Sequence, residues 1–185
     1  MAVDMIPRLE TRRLILRGWQ AADFDGFAAI YGDADVMRFL GPVQSRSDAW
    51  NGLARTIGHW ALRGYGTWAV ERKADHALIG RVGLINPEGW PGLEVGWTLA
   101  RAHWGHGFAS EAASAALSYG FLTQSVDRLI SCIDPGNHAS QAVARRIGEQ
   151  KGPRQDLVVG GQAHPVDIWS ITRAQWERRS GAGQG

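Results

Sequence analysis

The sequence predicts an α/β (α+β) domain organised around a mostly antiparallel sheet, and three observations carry that expectation. Three short strand candidates, at 67–72 (TWAVER), 77–86 (ALIGRVGLIN) and 93–99 (LEVGWTL), are joined by the brief connections KADH and PEGWPG. Such spacing is that of hairpins, so the three should pair antiparallel in chain order. A helix, a strand and a second helix then follow at 107–122, 128–134 and 138–147. Finally, 185 residues with 44% hydrophobic content suffice for one buried core and leave no room for two ordinary domains.

Each element has a local reason. Residues 9–18, LETRRLILRG, read as the first strand, with Leu14 and Leu16 alternating against Arg13, Ile15 and Arg17. Asp23 is placed to cap a helix in which Phe24, Phe27, Ala28 and Tyr31 recur at i, i+3, i+4 and i+7. A second helix over 46–63 repeats that spacing with Trp50, Leu53, Ile57 and Trp60, and Gly64 and Gly66 end it. The strongest helix, 107–122, gathers Ala109, Ala112, Ala113, Ala116 and Phe121 on one small, apolar face. After the strand RLISCID and the helix 138–147, two closing strands are expected near 155–160 and 165–172. The domain is expected to occupy 1–178, with 179–185 as a disordered tail.

Composition removes several classes of function. Twenty Lys and Arg against 18 Asp and Glu leave a net charge of +2, which does not suit a dedicated nucleic-acid binder. The single cysteine, Cys132, allows neither an intramolecular disulfide nor a multi-cysteine metal site. The opening residues hold no apolar core of a signal peptide, and no apolar run approaches the ~18 residues of a membrane span. A cytoplasmic protein is the expectation. Positive charge is almost entirely arginine, since only Lys73 and Lys151 are lysine.

The 24 glycines cluster around 80–107, and Gly105-His106-Gly107-Phe108-Ala109-Ser110 falls between a strand and the best helix. Small residues there bring backbone N–H groups close to a ligand, and a helix N-terminus adds unpaired donors and partial positive charge. That is an anion site suited to phosphate or pyrophosphate; a tight strand-to-helix turn is the plain alternative. A dinucleotide fold fits poorly, because the preceding strand alternates and Ser110 stands where the third glycine would be. Gly96, inside a strand, suggests a bulge or a close backbone approach.

Together with Asp134-Pro135-Gly136-Asn137-His138-Ala139-Ser140, these stretches resemble the GNAT superfamily of acyl-CoA-dependent N-acyltransferases, most nearly the ribosomal-protein-alanine acetyltransferases of RimJ/RimL type. LETRRLILRGW, LEVGWTLARAHWGHGFASEA, IDPGNHASQAVARRIG and IWSITRAQW carry the resemblance in order along nearly the whole chain. The superfamily's Q/R-x-x-G-x-G/A loop falls on Trp104 to Ala109, with Gly107 and Ala109 matching and Trp104 departing. The resemblance implies a sheet splayed where 93–99 and 128–134 run parallel, with helices on both faces. It also implies acetyl-CoA as co-substrate. His106, Gly107, Ala109 and Ser110 would meet its pyrophosphate, and the backbone of Trp97, Thr98 and Leu99 its pantetheine arm. Asn137 would touch that arm, and Ser140 would lie near the thiol.

The chemistry expected is transfer of acetyl to a primary amine by direct attack, which needs no enzyme nucleophile. Glu94 is the candidate base, with a surface pair to an arginine such as Arg81 as its other reading. Asn137 can equally be a helix N-cap, Ser140 a first-turn acceptor, and Glu111 a structural carboxylate favoured by the helix dipole. The family's acid tyrosine is replaced by Ala144, so Ser140 or water would protonate the thiolate; this departure also motivates a non-catalytic acyl-CoA-binding module as the rival. Histidines 103, 106 and 138 lack metal-site spacing, and no metal is expected. Trp50, Trp60, Trp68 and Trp90 fall where the acceptor should enter and could clamp an amine or apolar side chain, with core packing the expected role of most of them. The expected partner is an amine, on a protein N-terminus or a small molecule, with no nucleic acid or membrane, and the chain as monomer or homodimer.

Overall fold

The computed structural model describes residues 6–159 and 161–181. Among them eight strands form one sheet in the order β1-β2-β3-β4-β5-β6-β8-β7. The strands are β1 (Leu9–Glu10), β2 (Leu14–Arg17), β3 (Thr67–Arg72), β4 (Leu78–Ile85), β5 (Glu94–Leu99), β6 (Arg128–Ile133), β7 (Gln150–Val159) and β8 (Gln162–Thr172). The helices are α1 (Phe24–Tyr31), α2 (Ala34–Met37), α3 (Arg46–Arg63), α4 (Phe108–Thr123), α5 (His138–Ile147) and α6 (Arg173–Gly181). Every neighbouring pair is antiparallel except β5 with β6, which is parallel. The mixed fold with an antiparallel meander and one parallel junction is therefore the one observed.

Helices cover both faces. The small face of α4 packs its alanines on Val82, Leu84 and Val95, while α1 and α3 close the other side around Trp19, Phe27 and Leu53. This double cover corrects the alternating reading of the first strand: Leu14, Ile15 and Leu16 are all buried. That stretch is also two strands, because Thr11 bonds back to Leu14 and folds 9–17 into a tight hairpin. Gly64 ends α3 in the left-handed conformation at φ +72°, the C-terminal signal expected of it.

Three further boundaries differ from expectation. β7 begins at Gln150, well before 155; Gly152 and Pro153 sit in a register shift between Lys151 and Arg154, so an edge strand absorbs a residue that has no N–H to give. Residues 173–181 form α6, with Trp176 stacked on Phe121 at 5.2 Å, so 179–181 belong to a helix and 182–185 lie outside the described residues. Gly96 marks no bulge, since the β4–β5 register runs unbroken and an added Cβ would meet nothing nearer than 3.9 Å. No helix among the described residues is long and apolar enough to cross a membrane.

Candidate active site

The decisive local event is where the parallel ladder stops. β5 and β6 register only at Glu94 with Ile130, and the Ile130 N–H donates to Leu93 O at 3.0 Å. A regular parallel ladder would next join the Cys132 N–H to Val95 O. Instead the Cys132 N–H donates to Glu94 Oε1 at 3.3 Å, and the Ser131 hydroxyl lies 2.7 Å from Val95 O. Two side chains thus satisfy the buried backbone groups of the missing rung. Beyond it β6 follows β8 and β5 follows β4, and a gap opens between them.

The pleat decides which backbone groups face that gap. Ala100 N–H donates to Ile79 O, which makes Leu99 and Gly80 a non-hydrogen-bonded pair and turns Val95, Trp97 and Leu99 away from β4. Leu99 O is met by the Trp104 indole N–H at 2.9 Å. Thr98 has its backbone committed to Arg81 in β4, which leaves Trp97 as the free peptide position along the opening.

Beside the gap stands the N-terminus of α4. Gly105 and Gly107 both take positive φ, +77° and +76°, and form the turn that releases the helix. The N–H groups of Phe108, Ala109 and Ser110 have no intrahelical partner, and no side chain caps them. The Ser110 hydroxyl is buried and also without a partner. Arg13, just ahead of β2, grips this turn: it donates to His106 O at 3.0 Å and to Glu111 at 2.6 Å, and its guanidinium lies 4.4 Å over the Phe108 ring. Partial burial acts to raise the Glu111 carboxyl, but Thr11 and Arg13 hold it below its usual range, which makes it a structural anchor.

From the other side, α5 brings Asn137 and Ser140 to the opening. Asn137 Oδ1 accepts the Ser140 N–H at 3.0 Å and so caps the helix, leaving its amide nitrogen unused. Ser140 Oγ accepts from the Trp97 indole at 3.2 Å, which ties α5 to β5 across the gap. Ala144 is fully buried with Ile133 and Trp169, so the tyrosine's place is taken by core packing.

Glu94 points to the opposite face from Leu93 and Val95, hence away from α4. It is 7% exposed and forms no pair with Arg81 among the described residues. Burial pushes its carboxyl up to about 7, against the lowering pull of Trp90, of the Cys132 N–H and of the charge on Arg81. The Trp90 indole donates to its second oxygen. Of the other tryptophans, Trp60 and Trp68 are core, and Trp50 lies exposed on α3. Burial raises the Cys132 thiol beyond any use as a nucleophile.

Sequence reasoning missed Arg13, Ser131 and Glu149. Glu149, directly after the Gly148 that caps α5, is 3% exposed; its Oε1 is 3.0 Å from Ser131 Oγ and its Oε2 has no partner. Burial pushes this carboxyl up to about 8, opposed by Ser131 and reinforced by the charge of Glu94. A polar Ser131 inside the apolar strand RLISCID was the one available signal.

A family profile for the acetyltransferase (GNAT) domain matches residues 13–150. The chain belongs to the GNAT acetyltransferase family. It is accordingly an acyl-CoA-dependent N-acetyltransferase. Among curated relatives, the uncharacterised N-acetyltransferase YoaA of Bacillus subtilis is 29% identical over 174 residues, which cover 91% of this chain and 98% of that one. An acetyltransferase from Agrobacterium tumefaciens superposes with a TM-score of 0.79 at 28% identity, covering 91% of this chain and 95% of the other. RimL, a ribosomal L7/L12 α-N-protein acetyltransferase solved in complex with coenzyme A, shares the fold with a TM-score of 0.73 at 18% identity, over 90% and 98% of the two chains.

Proposed function

We propose that this acetyltransferase moves acetyl from acetyl-CoA to a primary amine, an N-terminal α-amine or a small-molecule amine, by direct attack in a ternary complex. The observation that carries the reading is the convergence of three features on one gap. These are the interrupted β5–β6 ladder, the uncapped N-terminus of α4 with its orphaned Ser110 hydroxyl, and a buried carboxyl held near neutral pH.

The residues fit the co-substrate. Gly107, Ala109 and Ser110, with His106 at the turn, offer backbone donors to a pyrophosphate, and Arg13 adds fixed positive charge beside them. Trp97 offers its C=O to an amide-bearing arm and Leu99 its N–H, while Thr98 supports them from within the β4 pairing. The amide nitrogen of Asn137, not used in capping α5, would donate to the same arm. When bound, acetyl-CoA supplies an activated acyl carbon.

Glu94 takes a proton from the incoming ammonium, a task matched to an α-amine of pKa ~7.7–8.0 far better than to lysine at ~10.4. The Trp97 N–H stabilises the oxyanion as nitrogen bonds to the carbonyl carbon. As the carbon–sulfur bond breaks, the Ser140 hydroxyl, oriented by the Trp97 indole, protonates the thiolate and recovers the second amine proton. Base and acid thereby act from opposite faces of the sheet. The α-amine preference also accords with the ribosomal N-terminal acetyltransferases among the structural neighbours.

Titration calorimetry with acetyl-CoA on wild type and Gly107→Trp tests the site. Binding in the micromolar range by wild type, abolished in the variant, is the expected result; no binding by wild type overturns the reading. Thiol release with a panel of N-terminal peptides and small amines then identifies the acceptor.

A further inference from the structure

Ser131 has one hydroxyl proton and two oxygens within reach, Val95 O at 2.7 Å and Glu149 Oε1 at 3.0 Å. A carbonyl oxygen can only accept. Val95 O is buried, and the rung that would have satisfied it is diverted, because the Cys132 N–H is spent on Glu94. The Ser131 proton therefore belongs to Val95 O, and the remaining contact requires a proton from the carboxyl of Glu149.

The surroundings agree. Among the described residues Ser131 is the sole hydrogen-bond partner of the Glu149 carboxyl, and no cation pairs with it. Arg145 of α5 lies over the Trp169 ring at 5.0 Å, Lys151 of β7 is engaged by Asp167 at 2.9 Å, and Arg81 of β4 acts on Glu94. Arg179 of α6 lies against Gly148 and donates to Arg146 O at 3.1 Å. Glu94 of β5 carries a charge that repels an anion here, and the Cys132 thiol on β6 is neutral. Burial without a counter-ion holds the proton on Glu149 until about pH 8.

We infer that Glu149 is a positioning residue that works as a neutral acid, donating to Ser131 so that Ser131 can clasp Val95 and set the opening between β5 and β6. On ionisation the carboxylate, a stronger acceptor than a carbonyl, draws the Ser131 proton to itself and leaves Val95 O unpaired at the mouth of the gap. The functional consequence rests on the reading of that gap as the acyl-CoA site; the protonation state does not.

Two measurements separate the claims. Infrared spectra of wild type, Glu149→Gln and Glu94→Gln should show a protonated-carboxyl C=O band that Glu149→Gln lacks, Glu94→Gln keeps, and alkali removes with a midpoint near 8. Identical spectra for wild type and Glu149→Gln from about pH 6 to about pH 9 overturn the proposal. Calorimetric acetyl-CoA affinity should weaken on the order of tenfold for wild type as pH passes through that midpoint. Glu149→Gln, whose amide donates to Ser131 at every pH, should hold its affinity across the range; a variant that follows wild type sinks the clasp. Ser131→Ala should bind weakly and without that pH dependence, and it serves for the affinity arm if Glu149→Gln fails to fold. Wild type that binds no acetyl-CoA at any pH defeats the acyl-CoA reading, while the infrared titration still decides the state of Glu149.

Discussion

Glu94 satisfies Cys132 N–H with one oxygen and the Trp90 indole with the other, and it does so with almost no water to share its charge. A carboxyl so placed ends the ladder and, on the proposed mechanism, takes a proton, and one substitution separates the two. Glu94→Gln keeps an acceptor for Cys132 N–H yet offers no base, so kcat/KM should fall on the order of a hundredfold. The pH–rate limb near 7 should vanish while acetyl-CoA affinity stays within a few-fold; a retained limb assigns the base elsewhere. Trp97→Phe should lower kcat more than it raises KM, because it frees the Ser140 hydroxyl without touching the backbone groups of β5. Glu94, Ser140, Gly107 and Asn137 could be singled out from sequence because each sits in a short pattern with a local physical meaning. Arg13, Ser131 and Glu149 could not: they are joined to the site by contacts that span from 18 to 98 residues of chain, and only the polarity of Ser131 within an apolar strand hints at any of them.

Elements were legible wherever periodicity and punctuation agreed, as in β3, whose bounds 67–72 are those expected, and α5, which fills 138–147. They were misread where tertiary cover replaced periodicity. β2 is buried on both sides and so lacks a true alternation, and β7 carries a Gly-Pro pair that mimics a loop but sits in an edge-strand bulge. α6 has a polar sequence whose place is set by Trp176 on Phe121 and by Arg173. That arginine reaches the Phe121, Gln124 and Val126 carbonyls at 2.7, 2.9 and 3.0 Å and so closes the C-terminal end of α4. Arg173→Ala should cost about 1–3 kcal/mol of stability, read as a lower urea midpoint. An unchanged midpoint would mean that water replaces the guanidinium without loss.

Across the whole molecule, two sets of carboxyls pull stability in opposite directions with pH. Glu94 and Glu149 have folded pKa values raised by burial, so the native state holds protons that the unfolded chain has released; their contribution is full below the ordinary carboxylate range and declines as pH rises to about 7 and about 8. Glu71, bonded to Arg17 and then His76, and Asp167, bonded to Arg154 and Lys151, are held below their usual values. Their contribution is present above the ordinary carboxylate range and is lost in acid. The urea midpoint should therefore peak in mildly acidic solution and fall toward pH 8, and Glu149→Gln should flatten that descent; a wild-type midpoint that climbs steadily to pH 8 contradicts the burial of these two acids. The single β5–β6 rung has one more consequence. It divides the sheet into two consecutive stretches of chain, 9–99 and 128–172, each fully laddered within itself and sutured to the other by Glu94, Ser131 and the flanking helices. Amide exchange should reveal them as two cooperative blocks whose shared edge opens first, and a co-substrate lying along that edge should weld the blocks, slowing exchange in both halves as its concentration rises.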